Sequence, residues 1–571
     1  MESRRQDYLI VFFVGLLVYY HSFYLSFCFD DYNFIVENPA TQNISDLKTL
    51  WGVLPERFLV IFSFAVDYFL WGQNAFGYHL VNFTIHLLTS LLLYTFLKQL
   101  LNSPVIVKQE IFGKEHGVAE KFSSQRFFLL FTTLLFISHP IQTHAVTYIS
   151  QRFALFAAFF YVLTLVLYLK ASFETKGNKS NHYLIWAFIS ACCGMLSKPN
   201  TATIPFALIL VEYCFIQVSF QAILSQWKKL FPFFLTVLLL PAVMLNSQHN
   251  NLEQMIGEKE EYLSNTDYFF TQFNVIQTYL RLLFFPINQN SDYDYPVSSS
   301  PFELGGLIGL ALIALLLYFA YRSFNKNRLI SFGVLFFFLS LSIESSFIPL
   351  DSPANEYRLY LPSIGFFIIF ISIFLTFFHK KKTSIISLVI IIFLFGVITW
   401  ERNNVWQNQL SLWTDVIHKS PKKARGHYNL GLAYLKENNF DKALQQFNLA
   451  NNISPQKAQI FLNIGVVYFE KKEYRKAIEY YKKALAVNSK SDIAHYNLGV
   501  VYEKQKRWKE AIKEYNASIE INPQYGEAHN NLGVYYFSLG EKKKAAGHLL
   551  KALKSGYMVH PNLVKALLSK N

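Results

Sequence analysis

Tyr8-Leu9-Ile10-Val11-Phe12-Phe13-Val14-Gly15-Leu16-Leu17-Val18-Tyr19-Tyr20 opens an apolar run that ends at Phe27-Cys28-Phe29-Asp30-Asp31-Tyr32. Roughly 20 apolar residues are what a bilayer core demands of a helix, so this run reads as a membrane span. Arg4 and Arg5 precede it. It is too long for the core of a cleavable signal and has no small-residue cleavage site, which makes it a retained first helix with a cytoplasmic N-terminus. A charge at the outer end of such a helix is costly unless it is solvated or used. The adjacent carboxylates of Asp30 and Asp31 are therefore the first functional candidates, and the competing reading makes them interfacial acids that stop the helix.

The rest of the first two thirds repeats the pattern. The chain has 571 residues, 52% of them hydrophobic and 18% aromatic, with a mean hydropathy of +0.23. Its apolar residues come in blocks of spanning length, which excludes an ordinary soluble domain. After the first run come a polar segment, 33–57, expected to be a folded outer loop, and 58–71, an apolar stretch broken by Asp67 and expected to lie in the membrane interface. Further spans are predicted at 77–97, 127–145, 153–170, 182–196, 201–219, 230–246, 302–321, 329–349, 360–378 and 384–399. The net charge of +14 is assigned to basic loops between these runs, a positive-inside pattern with no nucleic-acid patch. Lys170, Lys176 and Lys179, the pair Lys228-Lys229, Arg322-Lys326-Arg328 and His379-Lys380-Lys381-Lys382 mark four such loops. The segments 247–268 and 287–296 are acidic. Keeping every basic loop in the cytoplasm requires 268–286 to dip in or lie flat. That gives about 11 spans and an extracytoplasmic C-terminal region. Cys28, Cys192, Cys193 and Cys214 show no metal or disulfide spacing.

The final third is a repeat array. Asn429-Leu430-Gly431, Asn463-Ile464-Gly465, Asn497-Leu498-Gly499 and Asn531-Leu532-Gly533 recur every 34 residues, in phase with Tyr434, Tyr468, Tyr502 and Tyr536 and with Ala443, Ala477, Ala511 and Ala545. This is the period of the tetratricopeptide repeat, a helical pair whose stacked copies form a solenoid. Glycine and alanine fit where the paired helices cross closely, and Phe447, Tyr481 and Tyr515 fill the gaps between them. Trp413 stands 34 residues before Phe447, so 404–420 resembles a second helix without its first. The expected class is all-α, with a membrane domain at 1–400, a connector and half-repeat helix at 401–423, four repeats at 424–559 and a capping helix at 560–571.

Polar and ionisable residues gather where the topology reaches the outer face: Asp30, Asp31, Arg57, His139, His144, Arg152, Lys198, Asp292, Asp294, Glu356 and Arg358. His79, Asn82 and His86 add a stripe at helical spacing in the second span. Each has a dull explanation alone: interhelical hydrogen bonds for His79 and His86, a snorkelling Lys198, a structural pair for Glu356 and Arg358. Together they suit transfer of a sugar from a lipid phosphate. One carboxylate takes a proton from a hydroxyl acceptor, and fixed cations stabilise the departing phosphate.

The order of these blocks resembles the transmembrane and tetratricopeptide repeat-containing O-mannosyltransferases and their bacterial relatives. The resemblance rests on Phe29-Asp30-Asp31 with Ile35-Val36-Glu37-Asn38-Pro39, on Asp67-Tyr68-Phe69-Leu70-Trp71-Gly72, and on His79 through His86. It continues in His139-Pro140, Tyr148-Ile149-Ser150-Gln151-Arg152, Leu196-Ser197-Lys198, Asp292-Tyr293-Asp294-Tyr295-Pro296 and Asn355-Glu356-Tyr357-Arg358 through Ser363. It implies a GT-C fold, a polyprenyl-phosphate sugar as donor, and a protein or peptide acceptor held by the repeats. Asp30 is then the favoured base and Asp31 its neighbour or a ligand for a divalent cation (Mg or Mn), with Arg152, Lys198 and Arg358 on the phosphate side and Arg57, His79, His86, His139, Asp292, Asp294 and Glu356 as further substrate contacts. The chain departs from the pattern at Arg57-Phe58, where relatives have Arg-Pro, and at His144 and Pro199, where an acid is expected. Rival readings are a lipid-linked glycan ligase and a membrane scaffold. A bacterial inner membrane is favoured over an endoplasmic reticulum, because the chain is short and lacks outer-loop disulfide candidates.

Overall fold

The computed structural model describes residues 2–109, 118–174, 177–217, 219–245, 263–377 and 381–563. Among them there is no strand. The chain divides into two compact units, Met1–Asp415 and Val416–Asn571.

Every segment expected to span is helical over most of its described length, although the helix in 329–349 ends at Leu341 and 342–349 are turn and irregular. The first unit is built from α1 (Glu2–Tyr19), α2 (Leu47–Val53), α3 (Phe58–Trp71), α4 (Ala75–Leu101), α5 (Val118–Ser138), α6 (Arg152–Phe173) and α7 (Gly177–Met195). It continues with α8 (Ile204–Val211), α9 (Trp227–Thr236), α10 (Asn265–Phe284), α11 (Leu304–Ser323), α12 (Arg328–Leu341), α13 (Ser363–Phe377) and α14 (Lys381–Val405). Among the described residues seven helical stretches are long and apolar enough to cross a membrane, or eight if one bent pair counts. The remaining predicted spans are shorter or more polar: 124–138, 328–341 and 363–376 fall below 18 residues, and α7 opens with Gly177-Asn178-Lys179-Ser180-Asn181. α10 is one unbroken helix of 20 residues that does not meet the span criteria. The acidic residues Glu253, Glu258, Glu260 and Glu261, with Lys176, His379 and Lys380, lie outside the described residues.

The bent pair is α2 and α3, which meet at 99° across Leu54-Pro55. Proline fits the first position of a helical turn, where its missing N–H is not needed. α3 ends at Gly72 with φ +57, a left-handed conformation that glycine reaches without steric cost. The Tyr78 hydroxyl then donates to the Gly72 carbonyl at 2.9 Å. Residues 33–57 fold over this elbow, with Phe27, Ile35, Leu50, Leu54, Ile61, Phe64 and Phe153 in one apolar cluster. Deeper in, α12 crosses α13 at Gly333 and Gly365, where a Cβ on either would run into the other's carbonyl. Small residues permit such close contact between membrane helices.

The second unit is the expected solenoid. α15 (Gln409–Lys419) precedes four helical pairs: α16 (Ala424–Lys436) with α17 (Phe440–Ile453), α18 (Ala458–Glu470) with α19 (Tyr474–Val487), α20 (Asp492–Lys504) with α21 (Trp508–Ile521), and α22 (Gly526–Ser538) with α23 (Lys542–Lys554). The unit boundary falls inside α15, and α14 runs on to Val405, past the expected domain end at 400. A Cβ at Gly465 would stand 2.5 Å from the Tyr481 ring, so the glycine makes room for the aromatic of its partner helix. Gly431 against Phe447 and Gly499 against Tyr515 repeat the device. Only Pro561–Leu563 of the expected capping helix is described as helical, and 564–571 lie outside the described residues.

Candidate active site

The turn that carries the acidic pair is strained. Phe29 has φ +48, a conformation rare for an aromatic residue and costing of order 1–3 kcal/mol. Its ring is held edge-on against Trp413 at 5.0 Å and stacked toward Tyr148. Asp30 and Asp31, which follow Phe29, meet different partners. Asp31 is buried, and its carboxylate accepts from the Cys28 backbone N–H at 2.9 Å, from the Ser150 N–H at 2.7 Å and from the Ser150 hydroxyl. Burial pushes its carboxyl up to about 7 despite these bonds, which pull the other way, and the neighbouring Asp30 adds to the rise. Asp30 is only half-buried. Its Oδ2 accepts from the Tyr148 hydroxyl at 2.8 Å, and its backbone N–H donates to the Tyr148 hydroxyl oxygen at 3.1 Å. The Tyr148 phenol is raised well above its usual range, by burial first and then by the two carboxylates, so it remains a proton donor.

From Tyr148 the site continues through packed rings. Tyr148 stacks on Trp406 at 4.9 Å, and His144 lies 5.1 Å from Trp406 and 5.3 Å from Tyr357. Lys198 sits over the Tyr357 ring at 4.6 Å and pairs with Glu344 at 2.5 Å. Burial holds the His144 imidazole down at about 3, with Arg402 and Lys198 lowering it and Asp292 raising it. His144, Lys198, Asp292 and Arg402 thus share one electrostatic neighbourhood. Arg402 pairs with Asp415 at 2.8 Å and reaches Ser291 at 3.3 Å and Glu356 at 4.0 Å. Glu356 is fully buried and accepts from the Asn290 N–H at 2.5 Å, the Tyr293 hydroxyl at 2.7 Å and Gln289 at 3.1 Å.

Several expected contacts have other employment. Arg152 is completely buried and bound to Asp67 at 2.6 Å, Asn82 at 2.6 Å, Ser63 at 3.1 Å and the Tyr78 carbonyl at 3.1 Å. Its fork is consumed in joining α3, α4 and α6, leaving Ser150, two residues earlier, as that segment's contribution to the acidic turn. Arg358 donates to the carbonyls of Ser352 and Pro353 and to the Tyr268 hydroxyl. Tyr268 in turn holds the Glu344 carbonyl at 2.7 Å, so Arg358 braces the partner of Lys198. His86 bridges Tyr360 at 2.6 Å and the Ile137 carbonyl at 3.3 Å, and His139 meets the Leu283 carbonyl at 3.1 Å. His79 is buried within α4. Arg57 lies over Phe153 at 5.0 Å. Asp292 is buried, whereas Asp294 is exposed. Among the described residues no three His, Cys, Asp or Glu side chains gather to hold a metal. The Asp31 oxygens accept from Cys28 and Ser150.

Glu344, Arg402, Trp406 and the roles of Tyr148 and Ser150 escaped sequence reasoning. Tyr148 and Ser150 lie in Tyr148-Ile149-Ser150-Gln151-Arg152 and carry no charge at pH 7 to mark them. Glu344 is a lone carboxylate within the apolar run 329–349. Arg402 falls in the connector, 401–423, where no motif marks it.

The repeats and the membrane unit have known counterparts. Models of the tetratricopeptide repeat match residues 424–457 and 493–525, and a further "TPR repeat" model matches 467–506. Protein O-mannosyl-transferase F38B6.6 of Caenorhabditis elegans is 24% identical over 75% of this chain and 59% of its own length. The chain is similar to protein O-mannosyl-transferases. A second such relative, TMTC4 of Mus musculus, is 24% identical over 77% of this chain and 65% of its own. The chain spans between half and two thirds of the length of these curated relatives. Among solved structures, that of MamA shares 24% identity, with a TM-score of 0.24, over 26% of this chain and 86% of MamA.

Proposed function

We propose that this chain is a membrane glycosyltransferase of the GT-C type, transferring mannose or a similar hexose from a polyprenyl phosphate to a hydroxyl, with inversion. Asp30 takes the proton of the acceptor hydroxyl as that oxygen bonds to the anomeric carbon. The bond from that carbon to the phosphate oxygen breaks, and the lipid phosphate leaves with its electrons. The observation that carries this reading is the division of labour in the acidic pair. Asp31 is buried and accepts from three donors, whereas Asp30 is half-buried and accepts from the Tyr148 phenol. General-base help of this kind contributes roughly 10²–10⁴-fold.

Lys198 is the favoured cation for the departing phosphate, and Arg402 joins it. Both carry partner carboxylates, Glu344 and Asp415, which a dianionic phosphate would have to compete with. Arg358 acts as a positioning residue through Tyr268. The acceptor is a Ser or Thr of a protein or peptide presented by the repeats, which the named activity of the relatives supports. The same reading keeps the N-terminus in the cytoplasm and the repeats outside it, in a bacterial inner membrane.

The test is transfer by the purified full chain from radiolabelled polyprenyl-phosphate mannose, offered a Ser/Thr-rich peptide, a polysaccharide and a glycolipid in parallel. Label appearing on the peptide supports the proposal. Label confined to the polysaccharide or the lipid replaces it with a ligase, and no transfer to any acceptor rejects the enzyme reading for this donor.

A further inference from the structure

The positive charge of this chain does not lie where the loops suggested. Residues 1–415 carry 26 Lys and Arg against 26 Asp and Glu, so the membrane unit is neutral. Residues 416–571 carry 26 against 12, the whole net +14.

Within the solenoid the charge is sorted by edge. In each repeat the turn between the two helices lies on one edge, and the turn leading to the next repeat lies on the other. The first kind of turn recurs with the same backbone, positive φ falling at Asn438, Lys472, Lys506 and Gly540, 34 residues apart. The segments 436–442, 470–476, 504–510 and 538–544 around them carry 13 Lys and Arg and six Asp and Glu. The excess sits in the last three repeats, since 436–442 is neutral. The opposite turns, 453–459, 487–493 and 521–527, carry Lys457 and Lys490 against Asp492 and Glu527. They are neutral. Local pairs such as Lys476–Glu473 and Arg507–Glu510, at 2.7 and 2.8 Å, use up the acids of the basic edge. Lys472, Lys506, Lys509 and Lys543 stand exposed along it, with Trp508 exposed among them.

We infer that this edge docks on an anionic bilayer surface. A row of lysines at a fixed repeat, with an exposed indole in it, matches a plane of phosphate headgroups, where each lysine contributes about 1 kcal/mol and tryptophan favours the interface. An acidic protein partner has the right charge too, and Trp508, which stacks on Tyr535 at 5.5 Å and is 41% exposed, fits either surface; proximity favours the bilayer. The chain supplies the bilayer as well: only the 18 residues 406–423 separate α14 from the first repeat, so the solenoid meets headgroups at high effective concentration.

The test is lysine footprinting of the full-length protein in nanodiscs of pure phosphatidylcholine and of phosphatidylcholine with phosphatidylglycerol at about 2:1. An uncharged acetylating ester is used, with mass-spectrometric readout. The inference predicts that Lys472, Lys506, Lys509 and Lys543 react at least about fivefold more slowly in the anionic discs, the factor equivalent to one lysine–headgroup contact. The protection should vanish in about 0.5 M salt, where screening is nearly complete, and Lys457 and Lys490 should be unaffected throughout. Equal rates in both discs overturn the inference. Protection by soluble polyglutamate but not by phosphatidylglycerol also overturns it, in favour of an acidic protein partner.

Discussion

Replacing Arg152 by Met separates a structural role from phosphate binding. Arg152 and Asp67 are both under 3% exposed and 2.6 Å apart. Removing the guanidinium strands the Asp67 carboxylate in the interior, which costs about 3–5 kcal/mol. Asn82 Oδ1 loses its donor, which adds about 1 kcal/mol, and the contact of the cation with the Phe64 ring at 4.7 Å also goes. The double variant Arg152→Met/Asp67→Leu removes both charges and should recover at least about 2 kcal/mol of that loss, because apolar replacement of a whole buried pair is close to neutral. Thermal unfolding in detergent, followed with a thiol-reactive dye, suits the chain: Cys28 and Cys214 are buried, and Cys192 and Cys193 partly so. The midpoint should fall by several degrees in the single variant and return most of the way in the double. The reasoning is refuted if Arg152→Met unfolds at the wild-type temperature while its KM for the lipid donor rises.

Asp31 makes stability depend on pH. Its folded pKa of about 7 lies above the ordinary 3.8, so the folded state binds more protons than the unfolded one between those values. Stability should fall as pH rises from about 4 to about 7, by on the order of 4 kcal/mol at most, and level off above; pH-resolved unfolding of wild type against Asp31→Asn checks this, and identical slopes count against it. Tyr148→Phe keeps the stack on Trp406 but removes the 2.8 Å bond to Asp30, so kcat should drop about tenfold with KM little changed; a KM effect alone would move Tyr148 to the substrate. Gly465→Val drives a side chain into the Tyr481 ring and should destabilise the repeats by about 1–3 kcal/mol, read as earlier proteolytic cleavage within 424–554. A phosphatase reporter active only outside the cytoplasm should be active when fused after Lys419, and an inactive fusion would reverse the assigned topology.

Periodic features were legible in the sequence because one physical cause acts many times. The 34-residue phase located every helical pair, and the apolar blocks located most membrane-unit helices, though not α2, which lies in the polar segment 33–57. The acidic pair was legible too, since carboxylates beside a span stand out. The polar network was not. Arg152, Arg358, His86 and His139 look like ligands on a list of residues, yet their partners are Asp67, backbone carbonyls and Tyr360, which only the tertiary fold brings near. Glu344 stands 146 residues from Lys198 in the chain, and only the tertiary fold pairs them. Net charge misled in another way: one total for the chain concealed a neutral membrane unit and a strongly basic solenoid.

The central claim is that Asp30 removes the acceptor proton while Asp31 holds the turn. Its most direct test is the single-turnover rate of mannosyl transfer from polyprenyl-phosphate mannose by purified Asp30→Asn, whose fold is checked by its unfolding midpoint. The account predicts a rate lowered by roughly 10²–10⁴-fold at an unchanged midpoint and donor affinity. A folded Asp30→Asn protein that transfers at the wild-type rate would contradict it.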